Sequence, residues 1–151
     1  MEVIVTSSLL MLAVTAMLTL FNGIQQTAAR QQSRSETSDQ VRLAMERMTK
    51  EIRQATNIRA GSTGTSLDMD AYVGGEEKHV TWTLADGELT RTIDGSTITM
   101  VERVQVSGIF TYTPDATDPS VISITLVAKP ETFQKDVSEI TLTSEIKLRN
   151  R

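Results

Sequence analysis

Residues 3–21 read VIVTSSLLMLAVTAMLTLF, an apolar segment of nineteen residues without a charged side chain. No charged side chain occurs in residues 3–29, whereas residues 30–151 hold every Lys and Arg and all but one of the acids. An α-helix rises 1.5 Å per residue, so nineteen helical residues cover about 30 Å, the thickness of a bilayer's hydrocarbon core. The sequence therefore predicts an N-terminal helix that can cross a membrane.

Two simpler interpretations of this apolar segment compete with a filament role. A cleavable signal peptide needs a basic start and a short apolar core, whereas this segment follows Glu2 and is longer. An ordinary single-pass anchor fits the same residues. Taken by itself, the positive-inside rule would place the net positive residues 30–57 in the cytoplasm. We set that orientation aside, because the flank before the span consists only of Met1 and Glu2.

A helical pattern continues beyond the apolar segment. Apolar residues recur at spacings of four, three, four and three, which lays one stripe along a helix with charged side chains on its other faces: Val41, Met45, Met48, Ile52 and Ala55. Residues 25–40 are polar but contain no Pro, and the Gly-rich residues 60–64 end the pattern. We predict one helix from about residue 3 to residue 58, loosened at most at Asn22–Gly23, with the stripe facing a partner surface.

That partner surface follows in the sequence, where the period changes from 3.6 to 2. Apolar and polar residues alternate from Val80 onward, and Asp86–Gly87 and Asp94–Gly95 are strong hairpin signals. Further strands are predicted over residues 104–112 and 122–126 and in the stretch 137–148. These one-sided strands predict an antiparallel meander over residues 65–149 whose apolar face is covered by the helix stripe. The fold class is therefore α+β, with residues 1–29 as the membrane half of the helix and residues 30–151 as a soluble domain.

Composition excludes several classes of protein. The 151 residues suffice for one domain, and 39% are hydrophobic and 23% charged. Because Cys is absent, disulfides and thiolate chemistry are excluded. Because His79 is the single histidine, the sequence cannot supply a multi-His metal site or a His-based catalytic set. The net charge of -4 argues against general nucleic-acid binding. We predict no enzyme activity, no cofactor and no direct nucleic-acid partner.

Two acidic runs are candidate calcium ligands but lack the dense ligand spacing of an EF-hand loop. They are Asp68 and Asp70 with Glu76 and Glu77, and Asp115 with Asp118. Solvated acids in turns are the preferred interpretation of both runs. Trp82 is predicted to lie in the core, and His79 is predicted to be a surface strand residue without an acid at useful spacing in the sequence.

A membrane-spanning helix that continues into the core of a small antiparallel sheet resembles the architecture of type IV pilins and pseudopilins. The opening Met1-Glu2-Val3-Ile4-Val5 resembles the segment after the prepilin peptidase cut, where that family has Gly, then Phe-Thr-Leu-hydrophobe-Glu-hydrophobe. Residues 42–55, RLAMERMTKEIRQA, are similar to the helix of the J-type and W-type minor components. Residues 141–151, TLTSEIKLRNR, are similar to their last strand.

The resemblance implies that Glu2 is the family's intramembrane glutamate, which pairs with the N-terminal amine of a neighbouring subunit during assembly. It implies other pilin or pseudopilin subunits as partners through the N-terminal helix, membrane lipid before assembly, and prepilin peptidase as the enzyme that acts on a precursor. The family's basic leader and cleavage Gly do not occur in the 151 residues, and the helix-breaking Pro of major pilins is also missing, with Asn22–Gly23 in that region.

These observations predict a minor pilin or pseudopilin that primes assembly or lies at the tip of a type IV filament or a type II secretion-like machine. The expected location is the cytoplasmic membrane, crossed once, with the C-terminal domain outside the cytoplasm. The alternative is a single-pass anchored binding domain with no filament role. A second interpretation of Glu2 is that it lies in the lipid headgroup layer, where a terminal acid reaches water.

Overall fold

A computed structural model describes residues 2–130 and 138–148 of the chain, without the side chains of Glu2 and Val3. Within these described residues, one helix, α1 (Glu2–Arg53), is followed by eight strands. They are β1 (Ala55–Ile58), β2 (Ser66–Val73), β3 (Glu76–Ala85), β4 (Glu88–Ile93), β5 (Ser96–Val101), β6 (Phe110–Thr113), β7 (Val121–Ala128) and β8 (Ile140–Lys147).

The helix α1 is continuous over 52 residues and passes through Asn22 and Gly23 without a break. At 1.5 Å per residue it is about 80 Å long. It ends at Arg53, where the amide of Gln54 donates to the carbonyl oxygens of Lys50 and Glu51 at 3.2 and 3.0 Å. The predicted end at residue 58 is wrong, because residues 55–58 pair with β2 and include the β-branched Thr56 and Ile58. Ala55 consequently belongs to β1 and pairs with Ala71.

The strands form two antiparallel sheets instead of the single sheet predicted over residues 65–149. The first sheet has the order β1-β2-β3-β4-β5, and the second has the order β6-β7-β8. The first sheet already begins at Ala55, and of the strand predicted over residues 104–112 only β6 forms, with Val104 in an isolated bridge to Ala128. Residues 131–137 and 149 of the predicted sheet lie outside the described residues.

The two sheets are joined where the β1–β2 connection meets β6. The carbonyl oxygen of Gly64 accepts hydrogen bonds from the amides of Ile109 and Phe110 at 2.7 and 3.0 Å. A Cβ atom at Gly108 would lie 3.3 Å from that oxygen, so this close approach of two backbones favours glycine. The hydroxyl of Tyr112 on β6 lies 3.0 Å from the carbonyl oxygen of Thr63, and burial raises the pKa of this phenol.

One apolar core lies between the C-terminal half of α1 and both sheets. The fully buried side chains on the sheets include Leu67, Met69, Trp82, Leu89, Ile122, Ile124, Leu126 and Ile146. The helix contacts β8 and β7 of one sheet and β5 and β2 of the other. The chain therefore has an α+β fold in which one long N-terminal helix packs on antiparallel sheets with part of its length.

Candidate functional site

The N-terminal part of α1 has no packing partner among the residues that the structure describes. Every described side chain from Ile4 to Gln32 is exposed, and the large apolar side chains of residues 4–24 are between 49% and 75% exposed. We call residues 4–24 the apolar half of α1. This half is long and apolar enough to cross a membrane, and α1 is the one described helix for which this holds.

Hydroxyl groups in the apolar half are satisfied within the helix itself. The Oγ1 atoms of Thr15 and Thr19 donate to the carbonyl oxygens of Met11 and Thr15 at 2.7 and 2.8 Å. The Oγ atoms of Ser7 and Ser8 donate to the carbonyl oxygens of Ile4 and Val5 at 3.0 and 2.9 Å. A hydroxyl that leaves water without a partner costs free energy, so these internal bonds make the segment compatible with an apolar environment.

Glu2 is the first residue of α1. Its side chain lies outside the described residues, so its predicted pairing with a neighbouring subunit stays a prediction. Its position is nevertheless defined along the helix, because Glu2 begins the same uninterrupted helix that carries the apolar half.

The predicted stripe residues lie on the face of α1 that meets the sheets. Val41, Met48 and Ile52 are fully buried, and Met45 is 9% exposed. Ala44, which the spacing argument omitted, is fully buried on the same face, whereas Leu43 is 53% exposed. Ala55 is partly buried against the core, but from β1 instead of the helix.

A buried polar cluster, consisting of Glu51, Trp82 and Arg91, joins the last turn of α1 to the first sheet. Arg91 donates from Nε and Nη2 to Oε1 of Glu51 at 2.9 and 2.6 Å, and Trp82 donates from Nε1 to Oε2 of Glu51 at 2.9 Å. Glu51 is 5% exposed and Arg91 6%. Trp82 lies in the core as predicted, fully buried.

The roles of Glu51 and Arg91 were not predicted, although the sequence contains a signal for them. Arg91 alternates in phase with Leu89 and Ile93, which are on the apolar side of the β4 pattern. Glu51 adjoins Met48 and Ile52 on the helix surface. An acid within the apolar pattern of α1 and a base within the apolar pattern of β4 indicate a buried ion pair, because burying either charge alone would cost too much free energy.

The candidate calcium ligands of the first acidic run lie on the paired strands β2 and β3. Asp68 and Asp70 lie on β2 instead of in a turn, and Arg59 donates from Nη2 to Oδ1 of Asp70 at 2.8 Å. That hydrogen bond lowers the pKa of Asp70. No group of three or more acids and histidines within residues 2–130 and 138–148 is placed to hold a metal ion.

His79 has acidic neighbours that its sequence context does not reveal. Its Nε2 and Nδ1 atoms lie 3.3 and 3.4 Å from Oδ1 of Asp68 and Oδ1 of Asp70, on the adjacent strand β2. His79 is an exposed residue of β3, as predicted, and antiparallel pairing places Asp70 opposite it, a proximity that the spacing in the sequence does not show. All three side chains are partly solvent-exposed and form a surface cluster with Arg59.

The second acidic run caps a turn. Oδ1 of Asp115 accepts hydrogen bonds from the amides of Thr117 and Asp118 at 2.8 and 3.1 Å. The hydrogen bonds from Thr117 lower the pKa of Asp115.

Comparison of the chain with protein-family models, with curated proteins and with solved structures gives no match.

Proposed function

We propose that this chain is a minor pilin or pseudopilin, a structural subunit of a type IV filament or a type II secretion-like machine. It is stored in the cytoplasmic membrane by the apolar half of α1, with the sheets outside the cytoplasm. It then enters a helical assembly in which the same half packs on the helices of other subunits. Priming of assembly or a place at the tip is the role proposed for it.

The observation that carries this proposal is the continuity of α1. A membrane anchor needs only about 20 apolar residues and tolerates a flexible connection to its domain. Here one helix, Glu2–Arg53, supplies both the exposed apolar half and the buried stripe, so the sheets pack on the same helix that carries the apolar half. Such a connection suits a subunit whose position in an assembly is set through its helix.

The apolar half has two successive environments in this proposal. Each buried Leu, Ile, Met or Phe side chain is worth roughly 1.5–3 kcal/mol relative to water, so the segment is stable in lipid or against other apolar helices but not in solution. Lipid covers it before assembly. Neighbouring helices replace the lipid in the filament core, and packing then depends on the order of its side chains.

A scrambled helix separates the proposal from a simple anchor. Residues 4–21 are reordered at constant composition, while Glu2 and residues 22–151 are kept. The scrambled chain retains the composition needed to cross the membrane, so an anchor without a filament role keeps its partners. In the producing cell, we expect it to remain in the membrane fraction but to lose co-purification with other pilin-like subunits. Equal co-purification of the original and scrambled chains would contradict the proposal.

A further inference from the structure

A cavity of about 590 Å³ lies where the last turns of α1 meet the turn between β2 and β3. Arg47, Lys50 and Glu51 line it from the helix, and their spacing of three and four residues places them on one face of α1. The first sheet contributes Arg91 on β4 and the segment of residues 72–75. Ligand pockets in proteins measure about 300–1,000 Å³, so this cavity has room for one or more side chains of another molecule.

The charges around this cavity do not cancel. Among the described residues, three cations and one acid line it, so its net charge is +2. The acid, Glu51, already accepts hydrogen bonds at both of its oxygens from the first sheet. Arg47 and Lys50 form no ion pair within residues 2–130 and 138–148, and the recorded side-chain contact of Arg47 is with the sulfur of Met100 at 3.9 Å. The cavity therefore favours an anion.

Arg91 is the buried part of this cationic surface, with 6% of the residue exposed. Its Nε and Nη2 atoms donate to Glu51, whereas Nη1 has no acceptor among the described residues. In that part of the chain, the one fully buried side-chain polar atom without a partner is Oδ1 of Asp68, so Nη1 of Arg91 keeps contact with solvent. Because Glu51 holds one side of the guanidinium, the N–H groups of the other side have a fixed direction.

The cavity is accessible to a large molecule. Arg47, Lys50 and Tyr72 are exposed, and so are Gly74 and Gly75. These two glycines adopt φ values of 68° and 90°, a conformation that favours glycine, so the turn contributes no side chain that would fill the cavity. An extended segment of another protein can therefore reach the three cations from solvent.

We propose that this cavity binds the carboxylate side chains of an acidic peptide segment on a protein partner. A carboxylate matches the planar donors of a guanidinium better than other anionic side chains do, and Arg47 and Lys50 supply further positive charge. Single exposed ion pairs are weak in water, so a segment that brings several carboxylates together is favoured over a free anion. The site belongs to the single chain. Only the step that makes a neighbouring subunit the partner rests on the function proposed above.

The test is a titration of the full chain in micelles of a nonionic detergent, with the end-capped peptide Glu-Glu-Glu as the probe. In the chain labelled with nitrogen-15, we expect the peptide to shift the backbone amide resonances of Gly74 and Gly75. The resonance of Gly87, which lies in the turn at the opposite end of β3, should stay unchanged. The end-capped peptide Gln-Gln-Gln has nearly the same shape without the charge and should shift none of the three resonances.

The double variant Arg47→Gln with Lys50→Gln removes the two exposed cations and keeps the buried pair of Arg91 and Glu51. Its affinity for Glu-Glu-Glu should be about five- to tenfold lower, as expected for the loss of two exposed ion pairs. The matched control is Arg42→Gln with Arg53→Gln, since both residues are exposed on the same helix but do not line this cavity. The control removes the same net charge and should leave the affinity nearly unchanged.

Three results would overturn the proposal. Equal losses of affinity in the two double variants would mean that binding follows net charge alone. Unshifted resonances of Gly74 and Gly75 at saturating peptide would place binding elsewhere. Inorganic phosphate that shifts these resonances at lower concentration than Glu-Glu-Glu would make the site one for a free anion. Other subunits are absent from the micelle, so none of these results depends on whether the chain assembles.

Discussion

Glu51 illustrates how one residue can be charged, helical and still belong to the core. Its carboxylate is surrounded by hydrogen-bond donors of Arg91 and Trp82, which replace the water that it loses on burial. The guanidinium carbon of Arg91 also lies 6.0 Å from the Trp82 ring centroid, within the range of a cation–π contact. The three side chains therefore depend on one another.

Removing only one member of this cluster should be costly. Glu51→Ala leaves the Arg91 charge buried without a partner, so we expect the free energy of unfolding to fall by about 3–5 kcal/mol. Chemical denaturation of the full chain in micelles, followed by the fluorescence of the single tryptophan, measures the change. Glu46→Ala on the exposed side of the same helix is the control and should change stability by less than about 0.5 kcal/mol. Equal effects of the two substitutions would show that Glu51 is effectively solvated.

Glu2 is the residue to which the resemblance gives an assembly role. A carboxylate carried into a bilayer costs on the order of 3 kcal/mol, so Glu2→Ala should leave membrane insertion and the folded sheets intact. If Glu2 pairs with a charge on its neighbour, the same substitution should reduce cross-linking to other pilin-like subunits in membranes. Unchanged cross-linking and filament production in the Ala variant would remove Glu2 from the mechanism.

Among the elements, α1 and the hairpins follow local rules that the sequence displays. Asp86 and Asp94 adopt positive φ values of 53° and 49° before Gly87 and Gly95, as the Asp-Gly hairpin signal requires. The helix is predictable because its apolar segment and its stripe each persist for several turns. Its end is not, since Ala55 continues the helical spacing while its backbone pairs with β2.

Strand β2 shows why other elements escaped the sequence analysis. Leu67, Met69 and Ala71 are fully buried and alternate with Asp68 and Asp70, so the strand pattern is present. From the sequence alone, these acids are interpreted as turn residues. Their partners are Arg59, in the connection between β1 and β2, and His79, on β3, and both come close to the acids only when the chain is folded. Division into two sheets likewise depends on long-range pairing that no local pattern contains.

The helix-sheet interface can be tested with a single charge. Met48→Asp places a carboxylate at a fully buried position without a partner, and we expect a loss of several kcal/mol that unfolds a domain of this size. Circular dichroism during heating measures the loss. Leu43→Asp is the matched control, since Leu43 is on the same helix but 53% exposed, and it should leave the melting temperature nearly unchanged. An unchanged melting temperature for Met48→Asp would mean that this face of α1 is available to other chains.

The whole molecule divides into a part that needs an apolar environment and a part that carries its own core. The apolar half exposes its large side chains, whereas residues from Val41 onward supply the helix side of the core. Along α1, partial burial begins at Ser33.

Deleting residues 1–29 should therefore give a soluble, monomeric and folded domain. The shortened helix keeps Val41, Ala44, Met45, Met48 and Ile52 against the sheets, and every described side chain that it loses is exposed. Analytical ultracentrifugation reports the monomer, and near-ultraviolet circular dichroism of Trp82 reports its packing. Aggregation or loss of the Trp82 signal would show that the apolar half supports the fold as well.

In the proposed assembly, the apolar half of α1 contacts the helices of other subunits, and cysteine cross-linking in the membranes of the producing cell detects such contacts position by position. Because the natural chain has no cysteine, single cysteines can be placed one by one at positions 4–21 without background. We expect oxidation to link the chain to other pilin-like subunits carrying cysteines at matching heights, with a yield that repeats about every 3.6 residues. Uniformly absent cross-links at all of these positions, in variants that are folded and membrane-inserted, would contradict the account.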